Sequence, residues 1–265
     1  MNINVVLKNK SNLIKTVRSY DELSPFNPNY LITQNGQYES FYAPFDYINK
    51  GAKLVIVGIT PGSTQAHQAL MTFKCLLQEG VDIDKALKQS KSVASFSGAL
   101  RKNLVNMLNH VRINDLLNVN DCSELFNQNN EQVHFTSVLR YPVLKNGVPL
   151  SSGQGILNIK ELNEMFENNF VQEVNILPDA IYLPLGNGVS ELLHVLVGRG
   201  LIKPEQVLDG LTHPSGANNE RINYFLGLKS ANDCSVKTNP KRIDEAKQLL
   251  LENINVLLAN KEIAS

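Results

Sequence analysis

Residues 54–65 read LVIVGITPGSTQ, an unbroken apolar run that is followed at once by Gly, Thr, Pro and Gly. An apolar run bounded by turn residues is typical of a buried strand in the centre of a parallel sheet. The turn at the carboxyl end of such a strand is where open α/β sheets bind their ligands. Pro61 fixes its own φ, and Gly58 and Gly62 let the backbone approach a ligand closely. The same residues also suit an ordinary strand-to-helix turn that binds nothing.

Further apolar runs alternate with helical patterns along the chain. Strands are predicted at 53–59, 133–139, 180–185 and 207–211. Helices are predicted between them at 64–78, 97–111 and 159–173 and, with an apolar stripe, over 189–196; another follows at 219–226. Asn239 is a suitable N-cap and Pro240 suits the first helical position, which predicts a C-terminal helix over 239–260. This alternation indicates one three-layer α/β/α domain over residues 1–265, with a mostly parallel four-stranded central sheet and an N-terminal extension at 1–40.

Composition limits the classes of function. The chain has 265 residues, and its 25 Lys and Arg balance 25 Asp and Glu, so no global field attracts nucleic acid; a local basic groove stays compatible. Cys75, Cys122 and Cys234 are far apart, which argues against disulfides and favours a reducing cytoplasm. Because no signal peptide or membrane-spanning run is present, we expect a cytoplasmic protein that does not bind a membrane. The sequence indicates no particular oligomeric state.

Several familiar catalytic motifs are absent. The turn after Gly58 lacks the second Gly and the Lys of a P-loop, and the chain has no GxSxG, HExxH or GxGxxG. His213 stands out because it closes a predicted strand and precedes Pro-Ser-Gly, where it can donate a hydrogen bond into a cleft shared with the first turn. The other histidines lie singly in helical or strand patterns and are interpreted as structural or solvated: His67, His110, His134 and His194.

Four segments together resemble the signature motifs of the uracil-DNA glycosylase superfamily. They are 58–62 (GITPG), 135–142 (FTSVLRYP), 178–186 (PDAIYLPLG) and 213–215 (HPS), and their order and spacing match over about residues 40–230. The resemblance implies a four-stranded parallel sheet with helices on both faces. It also implies that a base is flipped into a pocket at the strand ends and that its N-glycosidic bond is hydrolysed, without a metal or organic cofactor.

The resemblance assigns catalytic roles to both turns. Thr60 matches the residue that positions the attacking water, and His213 matches the hydrogen-bond donor that stabilises the departing base. Many relatives have Asn or Asp where this chain has Thr60, and a hydroxyl is a much poorer general base than a carboxylate. Gln65, His67 and Asp46 are therefore alternatives for holding the water.

The predicted base pocket departs from the family at Ser137, which aligns with an Asn that reads the pairing edge of uracil. A short hydroxyl leaves room for a different base, so we expect an altered or modified pyrimidine as substrate, in repair or in defence against phage DNA, with plain uracil as the alternative. Phe73 either stacks on the base or belongs to the core, and the same two alternatives apply to Tyr141. The first turn supplies the rest of the pocket: Gly58, Ile59, Pro61 and Gly62.

The predicted partner is DNA, double- or single-stranded, and its contacts lie in the two turns and just after the second. The residues are Ser63, Pro214, Ser215, Gly216, Asn218, Asn219 and Arg221. Two other classes stay open. One is a non-catalytic DNA-binding module on the same fold. The other is an unrelated α/β hydrolase or nucleotide-binding protein, which predicts a structure without a pocket that joins Thr60 to His213.

Overall fold

The chain forms an α/β fold in the computed structural model, which describes residues 7–11 and 24–264. The strands are β1 (Leu31–Asn35), β2 (Tyr38–Phe41), β3 (Leu54–Gly58), β4 (Val133–Ser137), β5 (Val143–Lys145), β6 (Val148–Pro149) and β7 (Ile181–Pro184). The helices are α1 (Ser63–Gln78), α2 (Ile83–Ala94), α3 (Ala99–His110), α4 (Ile113–Leu117), α5 (Lys160–Met165), α6 (Val171–Ile176), α7 (Asn187–Gly198), α8 (Asn219–Phe225) and α9 (Pro240–Ala264). A π-helical turn, Phe166–Phe170, joins α5 to α6, and residues 7–11 are also helical.

The central sheet is parallel, with the strand order β4-β3-β7. Every residue of β3 is buried, as the apolar run predicts for a central strand. Gly58 at the end of β3 lies opposite Ser137 of β4, and Val57 lies opposite Pro184 of β7. The three carboxyl ends therefore meet at one edge of the sheet.

The predicted fourth strand at 207–211 is reduced to a single parallel bridge between Val207 and Tyr182. Gly210 explains why the pairing stops, because its φ of +119° takes the chain out of the extended conformation. A Cβ at this position would collide with the carbonyl oxygen of Ala246 on α9. Residues after Val207 therefore pack against α9 and do not pair with β7. The prediction of a four-stranded sheet was wrong in this respect: the structure has three parallel strands and one bridge.

Apolar side chains pack on both faces of this sheet. Val55 and Val57 point into one core and Leu54 and Ile56 into another, as expected for alternating residues of a buried strand. Helices α1, α2, α5, α6 and α7 contribute buried residues to the first core, and α3, α8 and α9 contribute to the second. Helices therefore cover both faces.

The second sheet is antiparallel, with the order β1-β2-β5-β6, and the sequence analysis did not predict it. Its strands are short and about half exposed, so they carry no long apolar run. The backbone N–H of Phe41 donates to the carbonyl of Pro142 at 3.0 Å, which joins β2 to the segment after β4. Residues 31–40 of the N-terminal extension are thus part of the packed fold.

A buried ionic cluster ties β4 to α6. Glu173 accepts hydrogen bonds from Nε and Nη2 of Arg140 at 2.8 and 2.5 Å, and it lies 2.9 Å from Nε2 of His134. The Nδ1 of His134 accepts from the backbone N–H of Asn49 at 3.4 Å, so the ring is neutral and carries its proton on Nε2. Burial and the nearby ammonium of Lys91 lower the pKa of His134 to about 4.

The free energy of unfolding should therefore decrease as the pH falls from 6.5 to 4. In this window the unfolded chain binds a proton at His134 that the folded chain does not bind. This difference lowers the free energy of unfolding by at most about 3 kcal/mol. Urea unfolding at pH 7, 6, 5 and 4.5 measures the change. His134→Gln, which does not titrate, should show a smaller slope over this window, and an equal slope would contradict the neutral, buried histidine.

Candidate active site

A cleft of about 470 Å³ opens at the carboxyl ends of β3 and β7. Its volume lies within the usual range of small-molecule sites, about 300–1,000 Å³. The turn after β3, the loop at 150–153, the start of α7 and the turn after His213 form its walls. The predicted site residues that line it are Gly58, Ile59, Thr60, Gly62, Gln65, His213, Ser215 and Asn218.

Thr60 is held by the backbone of the segment after β4. Its Oγ1 donates a hydrogen bond to the carbonyl oxygen of Tyr141 at 2.9 Å. Because this bond uses the hydroxyl proton, the oxygen is left to accept hydrogen bonds from a molecule in the cleft. Thr60 can therefore orient a water but is not suited to take its proton.

His213 is held in a defined tautomer. Its Nδ1 accepts the backbone N–H of Ser215 at 3.2 Å, so a neutral ring carries its proton on Nε2. Burial lowers the pKa of His213 below its usual 6.5, which keeps the ring neutral at pH 7. The ring packs against Gly186, whose φ of +93° favours glycine. In the described part of the chain nothing accepts from Nε2, which is available to donate to a bound molecule.

The turn after His213 is braced by side-chain amides. Asn103 on α3 donates to the carbonyl of Pro214 at 3.0 Å, and Asn218 donates to the carbonyl of His213 and to Oγ of Ser215, both at 3.2 Å. Arg221 in turn donates to Oδ1 of Asn218 at 3.2 Å. The turn is thus preorganised. Because the N–H of Ser215 is bonded to His213, it does not serve as a phosphate donor.

Backbone dipoles set the electrostatics of the cleft. Gly62 is the N-cap residue of α1 and Gly186 that of α7, so neither N-terminus has a side-chain cap. Uncapped first-turn N–H groups carry a partial positive charge and bind anions. No Asp, Glu, Lys or Arg is present among the described residues that line the cleft. The cleft is therefore suited to an anionic group and offers no carboxylate base.

Ser137 does not line this cleft. Ser137 lines a neighbouring cavity of about 10 Å³, which it shares with Pro61, Gln65 and Arg140. Phe96 lines both spaces and has a left-handed φ of +50°, and its ring lies 3.2 Å from an added Cβ on Gly58. Its N–H donates to Oε1 of Gln65 at 3.3 Å. No motif marks Phe96, and the sequence analysis missed it.

Other predicted site residues lie outside the cleft lining. Phe73 is fully buried in the core beside Ala69 and Leu70, the alternative left open for it. Asp46 is also fully buried, and its Oδ1 accepts the phenol proton of Tyr141 at 2.5 Å. Burial raises the pKa of this carboxyl, so Asp46 supports Tyr141 and does not present a base to the cleft. The other predicted site residues that do not line this cleft are His67, Ser63, Pro214, Gly216, Asn219 and Arg221.

The described residues offer neither a membrane span nor a cluster of metal ligands. Within residues 7–11 and 24–264, none of the helices combines the length and apolar character needed to span a bilayer. The same described residues contain no group of three or more His, Cys, Asp and Glu side chains arranged to hold a metal ion.

Fold and cleft together define an α/β protein with a ligand-sized site at the carboxyl ends of parallel strands. The chain is similar to the uncharacterized protein YoxB of Bacillus subtilis (strain 168), with 29% identity over 218 residues. That match covers 80% of this chain and 84% of YoxB. No family model and no solved structure matches the chain.

Proposed function

We propose that the protein is a cytoplasmic DNA glycosylase that hydrolyses the N-glycosidic bond of an altered or modified pyrimidine flipped out of DNA. One observation carries the proposal: Thr60 and His213, distant in the chain, line the same cleft. The resemblance of the four motifs to the uracil-DNA glycosylase superfamily requires this meeting. Because any parallel sheet brings the turns after its strands to one edge, the meeting of Thr60 and His213 supports the proposal together with the order and spacing of the four motifs.

The chemistry follows from charge development on the base. When the bond from C1′ to the base nitrogen breaks, its electron pair stays on the base, which leaves as an anion. The Nε2–H of neutral His213 donates to the base oxygen that gains this charge, and the N-termini of α1 and α7 stabilise it further. A water then bonds to C1′ and releases a proton to the departing base or to solvent.

Thr60 positions this water by accepting one of its hydrogens. Replacing Thr60 with valine, which keeps the shape and removes the hydroxyl, should slow base release by about 10- to 100-fold, since the water is no longer positioned and no general base is removed. Thr60→Ser should retain most of the rate. Single-turnover release measures both variants, and an unchanged rate in Thr60→Val would remove Thr60 from the mechanism.

The proposal is tested with labelled oligonucleotides and alkaline cleavage at abasic sites. The panel contains uracil, hypoxanthine, thymine mismatches, and hydroxymethylated and glucosylated cytosine, each in single and double strands. Release from a modified pyrimidine supports the proposal. Release from uracil alone would instead identify a plain uracil-DNA glycosylase.

A non-catalytic DNA-binding module on the same fold is the second candidate. It is favoured by the absence of a carboxylate among the described residues of the cleft lining, and by the position of Ser137 outside that lining. This candidate predicts DNA binding without base release from any oligonucleotide. It also predicts that Thr60→Val binds DNA as the unmodified protein does.

A further inference from the structure

A second cleft, of about 480 Å³, adjoins the candidate active site. It lies between the end of the 207–213 segment, helix α8 and the first turns of α9. The two clefts share four lining residues, Gly186, Asn187, His213 and Asn218. A chain-like ligand that places one unit beside His213 can therefore continue from one cleft into the other.

Three cations line this second cleft: Arg221, Lys237 and Arg242. Among the residues that the structure describes, no Asp or Glu lines it. The neighbouring carboxylates lie outside the lining: Asp209 pairs with His194 through Oδ2, and Asp244 accepts from the phenol of Tyr224 at 2.7 Å. The groove is thus a local concentration of positive charge on a chain of zero net charge.

Glu220 on α8 organises one wall of the groove. Its carboxylate accepts from Lys229 at 2.8 Å, from the Ser235 hydroxyl at 2.6 Å and from the Thr238 hydroxyl at 2.5 Å. These bonds lower the pKa of Glu220 well below its usual range. They hold the 229–238 loop, whose Lys237 carbonyl accepts from Nη2 of Arg221 at 2.9 Å. Arg221 is therefore fixed between this loop and the turn after His213.

Helix α9 adds a second source of positive potential. Its 25 residues begin at Pro240, inside the groove, and Oδ1 of Asn239 caps the N–H of Arg242 at 3.1 Å. The helix dipole directs its positive end toward this first turn. Arg242 and the helix start thus add positive potential to the same part of the groove.

We infer that this groove binds the sugar–phosphate backbone of the nucleic-acid strand whose flipped nucleotide occupies the adjoining cleft. Cations spread over a groove of this size suit successive phosphodiesters better than one isolated phosphate. The assignment places Lys237, Arg242 and the start of α9 in the DNA interface, and none of these was predicted from the motifs. It rests on the proposed function for its ligand, although strand binding does not require base release.

The test removes two groove charges and leaves the cleft intact. Lys237→Gln/Arg242→Gln should bind a fluorescein-labelled oligonucleotide at least about tenfold more weakly at low salt, by anisotropy. Removing one phosphate contact lowers the slope of log K against log salt by about 0.7 for single strands and about 0.9 for duplex, so the pair should lower it by about 1.4 to 1.8. Lys50→Gln/Lys53→Gln is the matched control, because both lysines are exposed, precede β3 and line neither cleft.

Equal affinity and equal salt slope in the groove and control variants would overturn the inference. So would inorganic phosphate that displaces the oligonucleotide at equal phosphate concentration, because the groove would then hold a free anion. Base release by the unmodified protein is measured alongside. Weakened binding in the groove variant without base release from any substrate would support the groove and refute the glycosylase. Base release with unaltered binding in that variant would refute the groove alone.

Discussion

Replacing His213 with alanine is expected to slow base release by about 100- to 1,000-fold, the usual effect of removing one preorganised donor to a developing anion. The expectation follows from the fixed tautomer, because the Nδ1 of His213 accepts from Ser215 and Nε2 carries the donated proton. DNA affinity should change little, since the braced turn and the basic groove remain. Single-turnover release and anisotropy measure the two effects separately.

His194→Ala is the matched control for this variant. His194 is an exposed imidazole paired with Asp209 at 2.5 Å, and it lines neither cleft. Its replacement should leave base release unchanged. A rate for His213→Ala within about threefold of the control, far less than removal of one donor explains, would remove His213 from the mechanism.

Replacing Glu173 with alanine is expected to lower the free energy of unfolding by about 3–5 kcal/mol, because Arg140 is left as an unpaired buried charge. Burial opposes ionisation of Glu173, yet Arg140 and His134 hold its pKa well below its usual range. The effect should reach the active site, since Tyr141 follows Arg140 and its carbonyl holds Thr60. Urea unfolding measures the stability change.

Glu167→Ala is the matched control for the ion pair. Glu167 pairs with Arg199, and both side chains are 38% exposed, so the variant should lose only about 0–1 kcal/mol. Replacing both Arg140 and Glu173 with methionine should recover part of the stability, because the buried guanidinium is removed together with its partner. A decrease in Glu173→Ala no larger than in the control would contradict the buried ionic cluster.

The central strands were predictable because their signal is local. Residues 54–57 are apolar on both faces and end in turn residues, which only a buried strand requires. The antiparallel sheet has weaker but readable signals: Asn35-Gly36 and Asn146-Gly147 are hairpin dipeptides, and Gly36, Asn146 and Gly147 all have positive φ. The end of the fourth strand was not predictable, because it depends on packing of Gly210 against a helix over 30 residues later.

In the candidate site, too, some residues have a local sequence signal and others depend on tertiary contacts. The turns around Thr60 and His213 have local signatures, and the structure brings them to one cleft. Phe96 could not be found from its neighbours, because its role depends on contact with Gly58, 38 positions earlier in the chain. The groove cations also come from separate segments that only tertiary packing brings together. The composition could not indicate them, because the formal net charge of the chain is zero.

The most direct test of the central claim does not require the base to be known beforehand. Genomic and phage DNA containing diverse modified pyrimidines is incubated with the unmodified protein or with His213→Ala, and free bases are identified by mass spectrometry. We expect a free pyrimidine, with matching abasic sites, from the unmodified protein and almost none from the variant. Release of no base from any DNA, or equal release by both proteins, would contradict it.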